Sequence, residues 1–194
     1  MFSMASTFAA YLLICITLGA DALFRTGAKA RSLTPDAADR KSTRYISAAI
    51  AISILSLLLA PLLNHFHLGQ LDSGGFPGWL GVVLMLLGMG LRVWAMRVLG
   101  RFYTRTLLTT ADQRIVQEGP YRRVRHPGYS GTLLIWIGAG LAVSNWIVLA
   151  VVALVCCASY LYRIRTEEAM LVAAFGNDYE DYMRRTKRLI PFVY

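Results

Sequence analysis

Charged side chains are scarce here. Asp, Glu, Lys and Arg make up 16% of the 194 residues, against about a quarter in soluble domains. So few cannot cover a water-facing surface, which excludes an ordinary soluble domain. Cysteine occurs three times, and Cys15, Cys156 and Cys157 all fall within apolar runs. That leaves no disulfide framework and no cysteine-based zinc site, so the three read as small packing residues. The sequence also lacks a strand running into a glycine-rich turn. Gly88-Met89-Gly90 sits inside an apolar run and has no third glycine, so a Rossmann-type nucleotide site is excluded. Internal repeats and low-complexity stretches are absent as well.

What is present is hydrocarbon. Hydrophobic residues make up 56% of the chain, and the mean hydropathy is +0.50. Four stretches are nearly free of charge: Phe2–Ala20, Ile46–Leu63, Trp79–Leu91 continuing to Val98, and Leu133–Leu161. One crossing of the hydrocarbon core takes roughly 20 apolar residues at ~1.5 Å each. The first three stretches fit one helix apiece. The fourth is too long for one and is split by Ser144-Asn145, which predicts a helical hairpin. The expected fold is all-α: a single integral membrane domain over 1–194 with five spans near 2–24, 45–64, 78–98, 127–143 and 145–162. The fourth span is short, so the hairpin tip is expected below the outer surface.

Placement of the basic residues supplies the orientation. Alternate connections hold 19 of the 20 Lys and Arg, namely 25–44, 97–125 and the segment after span five. The connections 64–78 and 144–145 hold none. This is the positive-inside pattern, so the N-terminus is expected outside and the C-terminus in the cytoplasm. The remaining basic residue, Arg92, lies inside span three and is expected to snorkel towards its end. The same placement makes the formal charge of +9 a topology signal and excludes nucleic acid as a partner. Phe8–Leu18 followed by Ala20-Asp21-Ala22 has the outline of a secretory signal. No basic segment precedes it, and cleavage would strand the 25–44 loop on the wrong side, so it is read as a span.

Gly81, Gly88 and Gly90 in span three and Gly138 and Gly140 in span four are expected to let helices approach closely. Pro35 breaks the 25–44 loop, which reads as a surface connection. Beyond span five, Met170, Leu171, Ala174, Phe175, Tyr179, Tyr182 and Met183 recur at helical spacing, with Gly176-Asn177 as an interruption. That pattern predicts two short amphipathic helices on the cytoplasmic face.

Two polar clusters stand out. Gln113–Gly131 is rich in turn formers, aromatics and arginines and runs into span four. Pro127 suits the first turn of a helix, which places His126 at a helix N-terminus that favours an anion such as a carboxylate. The competing reading is a juxtamembrane loop pinned to lipid headgroups by tyrosine and arginine. In the second cluster, Arg163 and Glu167 are four residues apart and share a helix face, whereas Glu168 points elsewhere. An ordinary helix ion pair accounts for them; so does a ligand site, since carboxylates just leaving hydrocarbon need a partner.

Gly119-Pro120-Tyr121, Arg125-His126-Pro127-Gly128-Tyr129-Ser130-Gly131, and Arg163 with Glu167-Glu168-Ala169-Met170-Leu171 together resemble the isoprenylcysteine carboxyl methyltransferase family. The wider group includes membrane phospholipid N-methyltransferases. The resemblance covers roughly Gly88–Tyr194. It implies an S-adenosylmethionine-dependent methyltransferase, releasing S-adenosylhomocysteine, whose cofactor sits within 100–194 at the cytoplasmic ends of the last helices. By position, it assigns Gln113, Arg114, Ile115, Val116, Tyr121, His126, Pro127, Gly128 and Tyr129 to the cofactor pocket. Glu167 would hold the cofactor and Arg163 would engage the acceptor, a lipid-like carboxylate arriving from the bilayer. A cofactor contact within 102–110 is not assigned.

A carboxylate acceptor carries its own negative charge, so neither a general base nor a metal is required. Alignment and exclusion of water are what the protein must supply. An amine acceptor, a sterol-type reductase and a non-enzymatic scaffold are the rival readings. The first leaves Arg163 without an evident role, the second lacks a nucleotide-phosphate motif, and transport lacks a mid-span charge.

Overall fold

The computed structural model describes residues 2–27, 37–71, 75–100 and 115–191. Six α-helices follow one another: α1 (Phe2–Gly27), α2 (Ala37–His65), α3 (Phe76–Leu99), α4 (Pro127–Ala142), α5 (Trp146–Phe175) and α6 (Asn177–Arg185). A 3-10 turn, Gly119–Arg122, precedes α4. Helices α1, α2, α3 and α5 are each long and apolar enough to cross a membrane. Helix α4, with 16 residues, reaches ~24 Å and is the short one. The protein is an all-α multi-pass membrane protein.

Its surface is inverted relative to a soluble domain. Met4, Phe8, Leu12 and Ile16 recur every fourth residue on α1 and are all exposed, as are Leu55, Leu58 and Leu62 on α2 and Leu80, Leu86 and Leu87 on α3. These stripes face lipid, where exposed apolar surface costs nothing. The packed interior is made of Met85, Ile135, Trp136, Ala139, Val148, Val152 and Cys156. Cys156 thus packs as a small apolar residue, within 3.5 Å of the Ser53 hydroxyl.

Helices α3 and α4 make the tightest pair in the bundle, and glycine is the reason. A Cβ added to Gly88 would lie 2.6 Å from the Gly131 carbonyl, and one on Gly138 would lie 2.6 Å from the Gly81 carbonyl. The two contacts are seven residues apart on each helix, so one seam of bare backbone joins them. Gly88→Ala is therefore expected to cost about 1–3 kcal/mol through forced separation, read as a lowered melting temperature in detergent; an unchanged melt would contradict the seam. Gly90 differs from expectation, whereas Gly140 gives the expected close approach, to α5 in place of α3. Gly90 faces open space, and Gly140 packs against Leu149 of α5.

The hairpin tip is set by Asn145. Its side chain accepts from Ile147 N at 3.0 Å and Val148 N at 3.2 Å, capping α5. Its amide donates to Asn64 Oδ1 and to Leu68 O, both at 2.8 Å. The connection after α2 is thereby tied to the tip.

Of the two short amphipathic helices expected beyond span five, one is not a separate element. Helix α5 runs unbroken for 30 residues, ~45 Å, well beyond the ~30 Å hydrocarbon core. The first expected amphipathic helix is its continuation; only α6, entered through Gly176 at φ +55°, is separate. Similarly, α2 begins at Ala37, so Arg40, Lys41 and Arg44 of the expected surface loop are helical. In both places the apolar pattern ends where the membrane ends, whereas the backbone hydrogen bonding carries on.

Candidate active site

The segment Arg123–Pro127 descends from the 3-10 turn and becomes the N-terminus of α4, with Pro127 in its first turn. The chain end lies along it. Arg125 N donates to Lys187 O at 2.7 Å, His126 N to Arg188 O at 3.1 Å, and Lys187 N to Arg123 O at 3.0 Å. Ser130 Oγ adds a bond to Leu189 O at 2.6 Å. Tyr182 of α6 donates to Tyr121 O at 2.8 Å. The loop before α4 is thus held in place by residues some 60 positions later.

Glu168 is the hub beneath it. Its side chain is 5% exposed and takes Arg125 Nε on Oε1 and Arg188 Nε on Oε2, each at 2.9 Å. His126 Nε2 lies 3.4 Å from Oε1. Arg125 also donates to the Met183 and Thr186 carbonyls. Burial alone would raise the Glu168 carboxyl, but the close contacts with His126, Arg188 and Arg125 outweigh it and bring it from 4.5 down to about 2. A depressed carboxylate stabilises the fold above its unfolded pKa and loses that contribution as pH falls towards the folded one. The melting temperature is therefore expected to hold down to about pH 5 and fall between about 4.5 and 2. Glu168→Gln should remove that part of the slope; an identical acid profile would contradict the assignment.

Beside this hub stands a second set of groups. The His126 and Tyr129 rings are stacked, with centroids 5.6 Å apart. The Tyr129 hydroxyl accepts from Arg163 Nε at 3.4 Å and feels the negative charge of Glu167. Arg163 is 4% exposed and reaches α2 as well, donating to Ser42 Oγ at 3.1 Å and Thr43 Oγ1 at 3.5 Å. Two atoms here are buried without a hydrogen-bond partner among the described residues, His126 Nε2 and Glu167 Oε2. Glu167 Oε2 lies 3.9 Å from His126 Nδ1. Leaving such atoms unmatched costs about 1–3 kcal/mol each, which suits a site shaped to receive a polar ligand.

The other expected site residues divide. Pro127 lines a cavity of about 600 Å³ with Leu91, Trp94, Gly119, Pro120 and Ser130. Gly128 faces open space, where an added Cβ would touch nothing. Ile115 and Val116 are half-buried in irregular chain. Tyr121 is buried and meets Tyr182 through its carbonyl. Gln113, Arg114 and residues 102–110 lie outside the described residues. Sequence reasoning missed Glu168, which does not point away from the site but anchors it. The signal that could have found it was the surplus of arginines in Arg125 and Arg188, which need a buried counter-charge.

Comparison with known proteins decides what this arrangement belongs to. The sequence pattern of the isoprenylcysteine carboxyl methyltransferase (ICMT) family matches residues 80–173, which span α3 to nearly the end of α5. Protein-S-isoprenylcysteine O-methyltransferase B of Arabidopsis thaliana is 31% identical over 166 residues, covering 76% of this chain and 83% of that protein. The chain belongs to the isoprenylcysteine carboxyl methyltransferase family. A probable protein-S-isoprenylcysteine O-methyltransferase of Oryza sativa subsp. indica is 29% identical over 150 residues, covering 76% of this chain and 78% of its own length. A solved eukaryotic intramembrane Ras methyltransferase, ICMT, shares the fold, with a TM-score of 0.58 at 24% identity. The alignment covers 79% of this chain and 53% of that one, so this ICMT-family protein spans about half the length of the solved relative. The likeness also reaches further back than Gly88, because 76% of the chain extends into its first half.

As an ICMT-family member the protein falls in the carboxyl O-methyltransferase class, and membership implies S-adenosylmethionine as the methyl donor. The orphaned carboxylate oxygen and imidazole nitrogen suit that cofactor, which carries an amino group, a carboxylate and hydroxyls.

Proposed function

We propose that the protein methylates the carboxylate of an isoprenylated cysteine, or a similar lipid-anchored carboxylate, at the cytoplasmic face of its membrane. The observation that supports this most is the pair of buried, unmatched polar atoms on Glu167 and His126 at the depth where α5 leaves the hydrocarbon. When bound, S-adenosylmethionine supplies a methyl group activated by a positive sulfur. Glu167, with Oε2 unmatched, would hold the cofactor through its amino or hydroxyl donors. His126, at the start of α4, offers a ring nitrogen and lies where the helix dipole favours the cofactor's carboxylate. Ile115, Val116, Tyr121 and Pro127–Tyr129 would complete the walls.

Arg163 fixes the acceptor carboxylate through N–H donors, and Tyr129 sets the guanidinium's direction. Held there, the acceptor would be turned towards the methyl group that the cofactor would supply, with S-adenosylhomocysteine as the leaving product. No proton moves, so the site has no need of a base. The lipid chain of the acceptor approaches sideways between helices, and the cofactor arrives from the cytoplasm, the side on which the basic connections lead us to expect the C-terminus.

The test is transfer of labelled methyl from S-adenosylmethionine by the purified protein, with S-farnesylcysteine bearing a free carboxylate and phosphatidylethanolamine offered in parallel. Base-labile label on the farnesylcysteine is the expected product. Base-stable label on the amine lipid alone would overturn the carboxylate reading.

A further inference from the structure

Polar groups continue from the site into the membrane-spanning part of the bundle. The Tyr129 ring meets Tyr160 of α5 with centroids 5.4 Å apart. Tyr160 lies beside Thr132 of α4 and feels the charges of Arg92 on α3 and Asp21 on α1. Arg92 itself donates to Asp21 Oδ1 at 2.8 Å and to the Thr132 hydroxyl. Four helices thus contribute to one cluster. Arg92 lies seven residues before the end of α3 at Leu99, and Thr132 five residues into α4. Both positions are ~8–10 Å below the level of His126.

Arg92 does not snorkel to water as its position in the sequence implies. It is paired across the bundle, with 14% of its side chain and 20% of that of Asp21 exposed. Helices α1 and α3 both present exposed apolar side chains outward, and the pair between them is not fully closed off. Ion pairs at such depth carry several kcal/mol of desolvation per ion, and apolar packing would join α1 to α3 with less. Intramembrane charges that persist in pairs mark ligand pathways. A guanidinium already holding one carboxylate is shaped to hold another, because the fork geometry is the same.

We propose that Arg92 and Asp21 form a capture site for the acceptor's carboxylate. The arriving carboxylate replaces Asp21 on the Arg92 guanidinium, then moves one turn outward along Tyr160 and Tyr129 to Arg163. A lipid-anchored acceptor, with its chain in hydrocarbon and its carboxylate below the headgroups, reaches this depth before it reaches the cofactor. An amine acceptor would be repelled by Arg92. The inference rests on the carboxylate reading above and deepens it by separating capture from reaction.

The experiment compares wild type, Arg92→Gln, Arg92→Lys and Asp21→Asn by methyl transfer to S-farnesylcysteine, with the S-adenosylmethionine Kd and the melting temperature measured alongside. Arg92→Gln is expected to raise the acceptor KM about tenfold or more, with kcat and the cofactor Kd within a few-fold of wild type. Arg92→Lys should recover part of the loss. Asp21→Asn is expected to lower the KM, because it removes the resident competitor, and the acceptor should raise its melting temperature by more than that of wild type. A purely structural pair predicts otherwise: both partners would lower the melting temperature and shift KM in the same direction or not at all, which would overturn the capture site. Wild-type protein that binds the cofactor but methylates no farnesylcysteine would defeat the functional reading and the capture site with it. Wild-type methylation with an unmoved KM in Arg92→Gln would defeat the capture site alone.

Discussion

Glu168→Ala is expected to destabilise the folded protein by about 3–5 kcal/mol and to abolish cofactor binding with it. The carboxylate is 5% exposed and holds Arg125, Arg188 and the neighbourhood of His126 at once. Without it, buried positive charge at Arg125 loses its counter-ion, which is far more costly than losing a surface pair. Folded proteins have only about 5–15 kcal/mol in total, so the loss should appear as a large drop in melting temperature in detergent. Arg188→Ala should cost less, because its side chain is 30% exposed and water can replace part of the contact. The comparison is diagnostic: equal melting temperatures for Glu168→Ala and wild type would show that the hub does not hold the site together.

Arg163→Ala is expected to act on the reaction rather than on cofactor affinity. Its guanidinium is oriented by Tyr129, Ser42 and Thr43, so it can present donors to a carboxylate in a fixed direction. Losing alignment in a displacement of this kind costs about a hundredfold or more, and the fall is expected in kcat/KM for the acceptor. The S-adenosylmethionine Kd should change by no more than a few-fold. Arg163→Lys should restore little, because a compact ammonium cannot satisfy the three oxygens that the fork reaches. Cofactor affinity falling in step with kcat/KM would instead place Arg163 in the cofactor pocket.

Much of this architecture is legible in the sequence because lipid imposes a simple rule. A helix crossing hydrocarbon needs an uninterrupted apolar run, and Ile46–Leu63 or Trp79–Val98 read as helices on that ground alone. The glycine seam was half visible. Gly81, Gly88, Gly138 and Gly140 announce close packing, but pattern does not say which neighbour each one meets, and Gly90 looks the same while facing open space. Helix ends were the least legible, since α5 continues as a helix well past its last apolar turn.

The site divides along the same line. His126, Pro127, Tyr129, Arg163 and Glu167 lie near one another in short motifs whose local spacing carries information. Glu168 did not, because its partners Arg125 and Arg188 are 43 and 20 residues away. On a helix drawn in isolation, adjacent glutamates merely point about 100° apart. The Asp21–Arg92 pair was invisible for the same reason, its members being 71 residues apart. Asp21 reads locally as a polar residue near a possible cleavage site, and only the approach of α1 to α3 gives it a partner.

Calorimetric titration of S-adenosylmethionine into the detergent-purified protein, beside Glu167→Ala, tests the central claim most directly. Wild type is expected to bind saturably with one site. Glu167→Ala should melt near the wild-type temperature but bind at least about tenfold more weakly, because Glu167, unlike Glu168, holds no arginine of the hub. A folded wild-type protein that binds no S-adenosylmethionine, or a Glu167→Ala variant that binds it as tightly as wild type, would contradict the account.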